Sequence, residues 1–560
     1  MPKFSDKKPW FDFYPEGVPR TIDYEEITLQ DAFRRAAKEY PRKPALTFMG
    51  NVIDYEELLG LVDRFATALA DLGVKKGSKV ATLLPNLPQM VIAYYAALSL
   101  GASMVLNNPL YTDRELEHQL NDSESEFLVT LDLLAPRMIA LKPKTGVKEI
   151  IICHINDYLP FPKKQLFPFV KKAMFRKVEK QGGVHEFLDL VKKFKPNPPK
   201  VKVGFDDIAC FQYTGGTTGV SKGVLLTHGN LSKNVQQIIA WFPAFNPGEE
   251  VELGVLPFFH SFGMTTVMNL SLWNAWNIVL IPRPEPQAIL EALDTYKPTF
   301  MPAVPTMYVG MLRHPDFKKY DVTSLIGCFS GAAPLPLEVI REFEEATGSQ
   351  ICEAYGLSET SPAATINPFG GKTKVGSIGL PVPDTDIRIV DLETGDKEMP
   401  VGESGEVIIK GPQVTEGYYK REEETKQAVR NGWLYTGDIG MMDEEGYFYI
   451  VDRKKDMIIA GGYNIYPRDI DEVLFEHPKV AEACAIGVPH EYRGETVKAF
   501  VVLKPGETAT EEEMIAYCKE KLAAYKVPKI IEFIDDLPKS AVGKILRKEL
   551  RAIEMDKMKK

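Results

Sequence analysis

The stretch that decides the fold is YTGGTTGVSKG, residues 213–223. It follows the strand-like run IACFQ and precedes another, VLLT. Glycines let the backbone fold around an anion, the hydroxyls of Thr214, Thr217 and Thr218 can donate to phosphate oxygens, and Lys222 adds positive charge. The stretch therefore predicts a phosphate-binding loop between two strands. Taken alone, it also fits a Gly/Thr-rich surface turn.

This loop is not the P-loop of the common nucleoside triphosphatases. That loop needs Gly, four residues, then Gly-Lys and Ser or Thr. Here Lys222 is followed by Gly223, and the glycine spacing does not match. We therefore expect a different class of phosphate loop.

On both sides of the loop, short apolar runs alternate with longer amphipathic segments. KVATLLP, EFLVTL, KEIIICHI, NIVLIP and TFMPAV are strand-like, whereas YEELLGLVDRFATALADLG (55–73) has apolar residues spaced by three and four. Gly73 closes that segment as a C-cap glycine would. The alternation predicts an α/β architecture.

The last third of the chain has a different texture. Residues 375–451 are β-rich with glycine turns, and the tail after Asp452 has strands (AEACAIGV, VKAFVVL, IIEFID) and helices of its own. We predict a large N-terminal domain, 1–451, of two layered α/β subdomains plus a β-barrel-like subdomain at about 375–451. A small α+β domain, 452–560, follows it.

Composition excludes several classes of protein. The chain has 560 residues, of which 44% are hydrophobic and 26% charged, as in a globular protein. A net charge of −10 argues against nucleic acid as a partner, because phosphates attract a basic surface. The N-terminus has no apolar stretch after its charges, so we expect no signal peptide. The scattered cysteines favour core thiols and a reducing cytoplasm.

Three segments are candidates for spanning or contacting a membrane. Residues 80–112 and 253–282 carry no charged side chain, but prolines, glycines and asparagines interrupt them, so we expect buried core rather than spans. Residues 158–202 hold twelve Lys or Arg against three Asp or Glu. They are either a solvated surface or a basic amphipathic surface for anionic lipid, with the apolar residues Phe167, Phe169, Met174 and Phe175.

Further motifs follow the loop in a fixed order. They are SGAAPL (330–335), EAYGLSET (353–360), YTGDIG (435–440), DRKKDMIIAGGYNIYP (452–467) and PKSAVGKILRKEL (538–550). Together with the loop, in which Ser221 stands where proline is usual, they resemble the adenylate-forming superfamily of acyl-CoA synthetases, adenylation enzymes and luciferases. The resemblance runs nearly end to end and is strongest to bacterial-type long-chain fatty acyl-CoA synthetases.

The resemblance implies a two-step ligase. A fatty acid attacks the α-phosphate of ATP, giving acyl-AMP and pyrophosphate, and coenzyme A then takes the acyl group and releases AMP. The transition state gathers negative charge, so cations and oriented donors should surround it. ATP with Mg²⁺, coenzyme A and fatty acid are the implied ligands.

Roles in nucleotide binding are implied residue by residue. The β- and γ-phosphate ligands are Thr214, Gly215, Gly216, Thr217, Thr218 and Lys222. Glu359, together with Thr214, is the implied Mg²⁺ ligand, and Ser358 and Thr360 lie near the α-phosphate. The adenine slot comprises Gly331, Ala332, Glu353, Ala354, Tyr355 and Gly356, with Tyr355 stacked on the base. Asp438 accepts the ribose hydroxyls, and Arg453 and Lys455 assist.

The C-terminal segment is implied to serve both steps. Lys544 bridges the carboxylate and the α-phosphate during adenylation, although by itself it would be a solvated lysine in a basic tail. Asp452 is the implied hinge of a mobile C-terminal domain, whose swing replaces Lys544 with the coenzyme A tunnel at Gly461, Gly462 and Tyr463. Ile459 stands where some relatives have lysine, which leaves contacts from that position open.

His260, in LPFFHSFGM, matches the position that gates the carboxylate pocket in this family, although a lone histidine also fits an ordinary core residue. Gly263, Met264, Val267 and Met268 follow as an apolar wall for an acyl chain. A long apolar wall without a partner for a second charge favours fatty acids over amino acids.

Several alternatives remain open from sequence. The acid could be medium-chain or aryl, the acceptor a carrier protein, or the chain a non-catalytic lipid- or nucleotide-binding protein. The oligomeric state is also open, a homodimer included. We expect a cytoplasmic enzyme, with peripheral attachment to the inner face of the membrane if residues 158–202 bind lipid.

Overall fold

The computed structural model describes residues 7–214, 221–460, 463–490, 494–540 and 543–558. The chain divides into two compact units. The large unit comprises Trp10–Asp386 and Ile409–Leu434, and the small unit comprises Ile387–Ile408 and Tyr435–Lys560 together with the N-terminal residues up to Pro9. The β-rich segment is therefore divided between the two units: about half of it, residues 387–408 and 435–451, groups with the C-terminal tail. The domain boundary and hinge at residue 452 stay predictions.

The strands follow the predicted alternation. They are β1 (Pro44–Phe48), β2 (Asn51–Asp54), β3 (Lys79–Leu83), β4 (Ser103–Leu106), β5 (Phe127–Leu131), β6 (Glu149–Cys153), β7 (Val184–Glu186), β8 (Ile208–Thr214), β9 (Lys222–Thr227), β10 (Val251–Gly254), β11 (Asn277–Leu280), β12 (Phe300–Ala303), β13 (Gly327–Ser330), β14 (Gln350–Gly356), β15 (Ala363–Ile366), β16 (Leu380–Pro381), β17 (Asp386–Val390), β18 (Gly405–Lys410), β19 (Val429–Arg430), β20 (Trp433–Met442), β21 (Phe448–Arg453), β22 (Ile458–Ala460), β23 (Tyr463–Ile465), β24 (Val480–His490), β25 (Gly494–Leu503) and β26 (Ile530–Phe533).

The α-helices lie between them. They are α1 (Leu29–Glu39), α2 (Tyr55–Asp71), α3 (Pro88–Ser99), α4 (Asp113–Asp122), α5 (Ala135–Leu141), α6 (Lys163–Val170), α7 (Phe187–Lys193), α8 (His228–Trp241), α9 (Ser261–Gly263), α10 (Leu270–Trp273), α11 (Pro286–Tyr296), α12 (Pro305–Leu312), α13 (Leu337–Thr347), α14 (Glu422–Ala428), α15 (Pro467–Phe475), α16 (Glu511–Lys521) and α17 (Arg547–Met558).

Among the described residues, two sheets lie wholly within the large unit. One has the order β16-β15-β14-β13-β12-β10-β11-β1-β2, and the other has the order β7-β6-β5-β3-β4-β8-β9. Their central strands are parallel, for example β12, β13 and β14 in the first sheet and β5, β3, β4 and β8 in the second. Parallel strands need cover on both faces, which explains their nearly continuous apolar runs. The predicted pair of α/β layers is confirmed.

The two uncharged stretches are core, as predicted. Residues 80–112 contain β3, α3 and β4, and α3 is buried from Pro88 to Leu98. Residues 253–282 contain short helices and β11. Among the described residues, every helix is too short or too polar to span a bilayer.

The predicted helix at 55–73 forms as α2 and ends at Gly73, whose φ is +101°. The Gly73 N–H donates to the Ala70 carbonyl at 3.0 Å, and the Val74 N–H donates to the Leu69 carbonyl at 2.9 Å. This pair of hydrogen bonds is the Schellman motif, in which the left-handed position favours glycine. The C-cap prediction is confirmed.

The small unit contains the predicted C-terminal strands. β24 and β25 cover AEACAIGV and VKAFVVL, and β26 covers the first four residues of IIEFID. The sheet has the order β23-β22-β25-β24, with β26 paired to β25. Apolar side chains from this sheet, α15 and α16 form one core cluster. In the β-rich segment, the sheet order is β17-β18-β20-β19, and β21 pairs with β20.

The cysteines are buried free thiols, which confirms the core-thiol interpretation. They are Cys153, Cys210, Cys328, Cys352, Cys484 and Cys518.

Candidate active site

The strands that flank the predicted phosphate loop hold its ends opposite each other. β8 and β9 are antiparallel, with Tyr213 opposite Gly223 and Thr214 opposite Lys222. The Tyr213 ring packs on Gly223, where a Cβ would lie 3.3 Å from it. The loop residues predicted as phosphate ligands, Gly215, Gly216, Thr217 and Thr218, lie outside the described residues.

A tyrosine links the predicted phosphate lysine to the predicted metal ligand. The Tyr418 hydroxyl donates a 2.9 Å hydrogen bond to Glu359 Oε1, and Lys222 Nζ lies 5.4 Å from the centroid of the Tyr418 ring. Lys222 Nζ also lies 3.8 Å from Glu424 Oε1. Burial and the charge of Glu359 raise the pKa of Tyr418, so the phenol remains a neutral donor. Lys222 and Glu359 are therefore neighbours in the large unit.

The predicted adenine slot lies at the ends of two neighbouring parallel strands. β13 and β14 pair with Ser330 opposite Glu353, so the chain that leaves β13 at Gly331 starts beside EAYG, the last four residues of β14. The carboxyl end of a parallel sheet is the usual place for ligand-binding loops. The Glu353 carboxylate accepts the backbone N–H of Leu335 at 3.3 Å and that of Gly376 at 3.1 Å. Glu353 thereby ties two loops to the strand end.

The other slot residues differ in exposure. Gly331 is buried, Ala354 and Tyr355 are partly buried, and Ala332 and Gly356 are exposed. The backbone of Ala332 has a φ of +71°. Tyr355 therefore has an accessible part for a stacked base, which stays a prediction.

Gly356 has no room for a side chain, which gives a testable prediction. A Cβ there would overlap the carbonyl oxygen of Pro362. Backbone cannot move aside cheaply, so we expect Gly356→Ala to lower the free energy of unfolding by about 1–3 kcal/mol. It should also displace Tyr355 and weaken ATP binding. Chemical denaturation and nucleotide titration measure the two effects. Gly182→Ala is the control, because a Cβ there would meet no atom within 4 Å and the residue has no positive φ. Normal ATP binding by Gly356→Ala would contradict the prediction.

The Thr360 hydroxyl makes its hydrogen bonds to backbone groups of the protein. The side chain is fully buried, its Oγ1 accepts the Leu357 N–H at 2.9 Å, and it also donates to backbone carbonyl oxygens of Leu357 and Pro362. These bonds shape the turn that carries Ser358 and Glu359. A direct contact of Thr360 with the α-phosphate stays a prediction.

The predicted acyl gate adjoins the adenine slot. His260 is partly buried, and its Nδ1 accepts the Phe262 N–H at 3.2 Å. The Phe262 ring packs on Gly331, where a Cβ would lie 3.1 Å from it. In addition, Ser261 Oγ lies 3.4 Å from Ser358 Oγ. The structure thus brings the His260 turn against residues predicted to hold the nucleotide.

A π-helix, Met264–Asn269, follows this turn. Such helices are rare and occur frequently at functional sites. Gly263 packs so closely on the Pro257 carbonyl that a Cβ would overlap it. The predicted pocket residues on the π-helix are fully buried; they are Met264, Val267 and Met268.

Asp438 and Arg453 face each other across β20 and β21. Arg453 Nε lies 3.2 Å from Asp438 Oδ1, and Asp438 is 3% exposed. Thr436 Oγ1 accepts the Asp438 N–H at 3.0 Å, and Gly437, between them, has a φ of +70°. The carboxylate is therefore held in place before a ligand arrives, and its oxygens can accept two hydroxyls.

Lys544 lies within electrostatic reach of this pair. Its N–H donates to Ser540 Oγ at 3.1 Å, and its carbonyl accepts the Ser540 N–H at 2.8 Å. Burial and the charge of Arg453 lower the pKa of Lys544 to about 8, while Asp438 opposes this shift. Partial burial and Arg453 also lower the pKa of Lys455. The small unit therefore brings the predicted catalytic lysine together with the predicted ribose ligands.

The predicted hinge residue joins a strand to a helix. Asp452 is 5% exposed, and its carboxylate accepts the Arg453 N–H at 2.6 Å and the Arg468 N–H, in the first turn of α15, at 2.9 Å. Burial raises the pKa of Asp452, and the charge of Arg547 opposes this. Asp452 is therefore firmly held in this pose.

The predicted coenzyme A segment is described in part. Gly461, Gly462 and the side chain of Tyr463 lie outside the described residues, and the Tyr463 backbone pairs with Ala460. Ile459 is 52% exposed, and its N–H donates to Glu495 Oε2 at 2.8 Å. The roles of this segment stay predictions.

The sequence did not reveal the residues that position the loop and Glu359. Tyr418 belongs to no phosphate-binding pattern. Ser221, the departure from the family motif, has its carbonyl 3.0 Å from His118 Nε2 and accepts a 3.3 Å hydrogen bond from Gln119 at its Oγ. His118 and Gln119 lie on α4, about a hundred residues earlier, so no local signal could have identified them.

These features define a nucleotide-dependent enzyme of the adenylate-forming class. Residues 33–419 match the AMP-binding enzyme family, and residues 469–544 match the AMP-binding enzyme C-terminal domain. The chain belongs to the AMP-binding enzyme family.

Individual relatives align over nearly the whole chain. A long-chain-fatty-acid–CoA ligase of Bacillus subtilis strain 168 is 47% identical over 97% of this chain and 98% of its own length. A protein of the same name from Escherichia coli O6:H1 is 40% identical over the same shares. ATP-bound MatB from Rhodopseudomonas palustris is a similar solved structure, with a TM-score of 0.83, 31% identity, and coverage of 95% of this chain and 99% of its own.

Proposed function

We propose that this chain is an AMP-forming long-chain fatty acid–CoA ligase. The observation that carries the proposal is the cationic site of the small unit, where Lys544 lies near the Asp438–Arg453 pair. Full-length relatives named long-chain-fatty-acid–CoA ligase support the substrate and the acceptor.

In the first step, a carboxylate oxygen of the acid attacks the α-phosphorus of ATP, and pyrophosphate leaves. Both reactants are anions, so the Lys544 ammonium placed between them lowers the barrier by neutralising charge that develops in the transition state. Asp438 accepts the ribose hydroxyls and fixes the nucleotide against this cation. Lys222 is proposed to hold the departing phosphates.

Mg²⁺ suits the residues around Glu359. Magnesium is usually held by one or two carboxylates together with substrate phosphates, and Glu359 supplies a carboxylate oriented by Tyr418. Glu359 and Thr214 would hold the ion. When bound, it would neutralise charge on the phosphates.

In the second step, the thiol of coenzyme A attacks the acyl carbonyl, and AMP leaves. The C-terminal segment is proposed to move about Asp452, with Gly461, Gly462 and Tyr463 along the path of the thiol. Glycine at the first two positions suits close approach of a pantetheine chain. His260 and the buried side chains after it are proposed as the gate and wall of the acyl pocket.

The lowered pKa of Lys544 predicts a pH-dependent first step. The ammonium form bridges the reactants, so kcat/KM for adenylation should fall as the pH rises through about 8. Lys544→Arg should remove this fall, because a guanidinium stays protonated there, although its absolute rate will be lower. Pyrophosphate exchange measured against pH checks both. A profile for Lys544→Arg that falls as in the wild type would contradict the assignment.

Pyrophosphate release with acids from butanoate to octadecanoate, with and without coenzyme A, tests the proposed function. We expect acyl-AMP in both cases and acyl-CoA where coenzyme A is present, with the highest kcat/KM for long chains. A preference for octanoate or for an aryl acid would show that the assigned substrate class is wrong. Turnover with a carrier protein but not with coenzyme A would show that the assigned acceptor is wrong. No pyrophosphate with any acid would favour a non-catalytic binding protein.

We also propose a cytoplasmic location, supported by the buried free thiols, with peripheral contact at a membrane surface. Long-chain acids partition into bilayers, so contact with a bilayer would supply the enzyme with its substrate.

A further inference from the structure

The segment 161–174 turns apolar side chains outward. Phe161 is 83% exposed, Phe169 73%, Val170 70%, Leu166 51% and Met174 42%. Large exposed apolar side chains are ordinary when single, but a contiguous group marks an interaction surface. We call these five residues the apolar patch.

Helix α6 accounts for the centre of the patch. Leu166, Phe169 and Val170 are spaced by three and four residues, so they share one face of the helix. This face points to solvent, whereas Phe167 is the buried residue of the helix. The helix is therefore amphipathic in the reverse sense to an ordinary surface helix, whose apolar face meets the core. The predicted lipid contact of Phe167 is wrong, because its side chain packs inward.

The protein fixes the segment at both ends. Between Phe161 and the rest of the patch, Lys164 Nζ donates to the Asp157 carbonyl at 2.5 Å, and the Lys164 carbonyl accepts the side-chain N–H of Asn156 at 3.1 Å. After it, the Phe175 ring stacks on the His154 ring at 5.0 Å and 26°. Phe175 is partly buried, and its lipid contact stays a prediction.

His154 makes the second attachment strong. Its Nδ1 lies 2.9 Å from Asp132 Oδ2 and its Nε2 lies 2.9 Å from Glu186 Oε2, and the Arg176 N–H donates to Asp132 at 2.6 Å. Burial lowers the pKa of His154, but the two carboxylates prevail and raise it to about 10. A charged imidazolium under the Phe175 ring adds a cation–π attraction. The exposed residues between these attachments are therefore presented from a fixed base.

The charge around the patch selects its partner. Lys163, Lys171 and Lys172 are exposed beside it, within the 158–202 segment of twelve cations and three carboxylates. The protein as a whole carries −10, so this local excess of positive charge is opposite to the net charge. An apolar group with a cationic border fits a surface that is apolar inside and anionic outside.

We propose that the apolar patch inserts into an anionic lipid bilayer while Lys163, Lys171 and Lys172 contact its headgroups. The benefit of membrane binding rests on the proposed function, since a ligase at the bilayer can collect fatty acid where that substrate is concentrated. Binding itself requires no substrate.

Flotation of the full-length protein with phosphatidylcholine vesicles, with and without about one-third phosphatidylglycerol, tests the proposal. We expect binding to the anionic vesicles alone, and a loss of about tenfold or more between about 0.05 M and 0.5 M NaCl. The double variant Phe169→Ser with Val170→Ser, and the triple variant Lys163→Glu, Lys171→Glu and Lys172→Glu, should each lower the partition coefficient by about tenfold or more.

Matched controls alter the same chemistry elsewhere in the large unit. Leu110→Ser with Val52→Ser changes two exposed apolar residues, and Lys38→Glu, Lys318→Glu and Lys410→Glu change the charge by the same amount. All should bind like the wild type. Absence of wild-type binding, equal binding to neutral vesicles, or equal losses in patch and control variants would overturn the proposal. Pyrophosphate release with dissolved dodecanoate is measured separately. A failure of the ligase assignment can then be distinguished from a failure of membrane binding.

Discussion

Lys544→Ala is expected to lower the rate of adenylation by about 10²- to 10³-fold, the loss typical when one preorganised charge is removed from a transition state. The physical reason is that the carboxylate and the triphosphate repel each other and Lys544 supplies the cation between them. The same variant should still convert supplied acyl-AMP and coenzyme A to acyl-CoA, because the second step uses the other pose of the C-terminal segment.

Two assays separate these effects. Pyrophosphate release reports the first half-reaction, and thioester formation from synthetic acyl-AMP reports the second. Lys548→Ala is a matched control, since Lys548 is an exposed lysine of the same basic segment. Equal loss of both half-reactions in Lys544→Ala would show that Lys544 has a structural role instead.

Asp452→Pro is expected to spare adenylation and to lower thioester formation by about tenfold to a hundredfold. Proline fixes φ near −65° and so restricts rotation at a hinge. The substitution also removes the carboxylate that accepts the Arg453 and Arg468 N–H groups. The arrangement seen in the structure should therefore lose some stability as well.

Asp452→Ala distinguishes restricted rotation from loss of the carboxylate. It removes the same two hydrogen bonds and leaves φ free, so it should retain thioester formation if Asp452 is the hinge. Both half-reactions are measured as for Lys544→Ala, together with the midpoint of thermal unfolding. Normal thioester formation by Asp452→Pro would place the hinge elsewhere.

Local patterns carried the fold class and the identity of most candidate site residues. The alternation of apolar runs specifies α/β layers because strand and helix periods differ. Motifs such as YTGDIG or PKSAVGKIL contain their candidate residue within a few positions, so Asp438 and Lys544 could be named before their surroundings were known.

Contacts between distant segments could not be predicted in this way. Tyr418 reaches Glu359 across 59 positions, and His118 reaches Ser221 across 103. No local period encodes such pairs, because they follow from the order in which strands join a sheet. The division of the β-rich segment between the two units is likewise a property of packing.

The sequence by itself determined the family, the α/β layers and a basic segment with aromatic residues, and it predicted the phosphate loop. The tertiary structure decided that Lys544 lies near the Asp438–Arg453 pair, and that Phe167 turns inward while Phe169 turns outward. The reason is physical: a residue's type sets its chemistry, but its direction and its neighbours depend on which surfaces of the chain pack together.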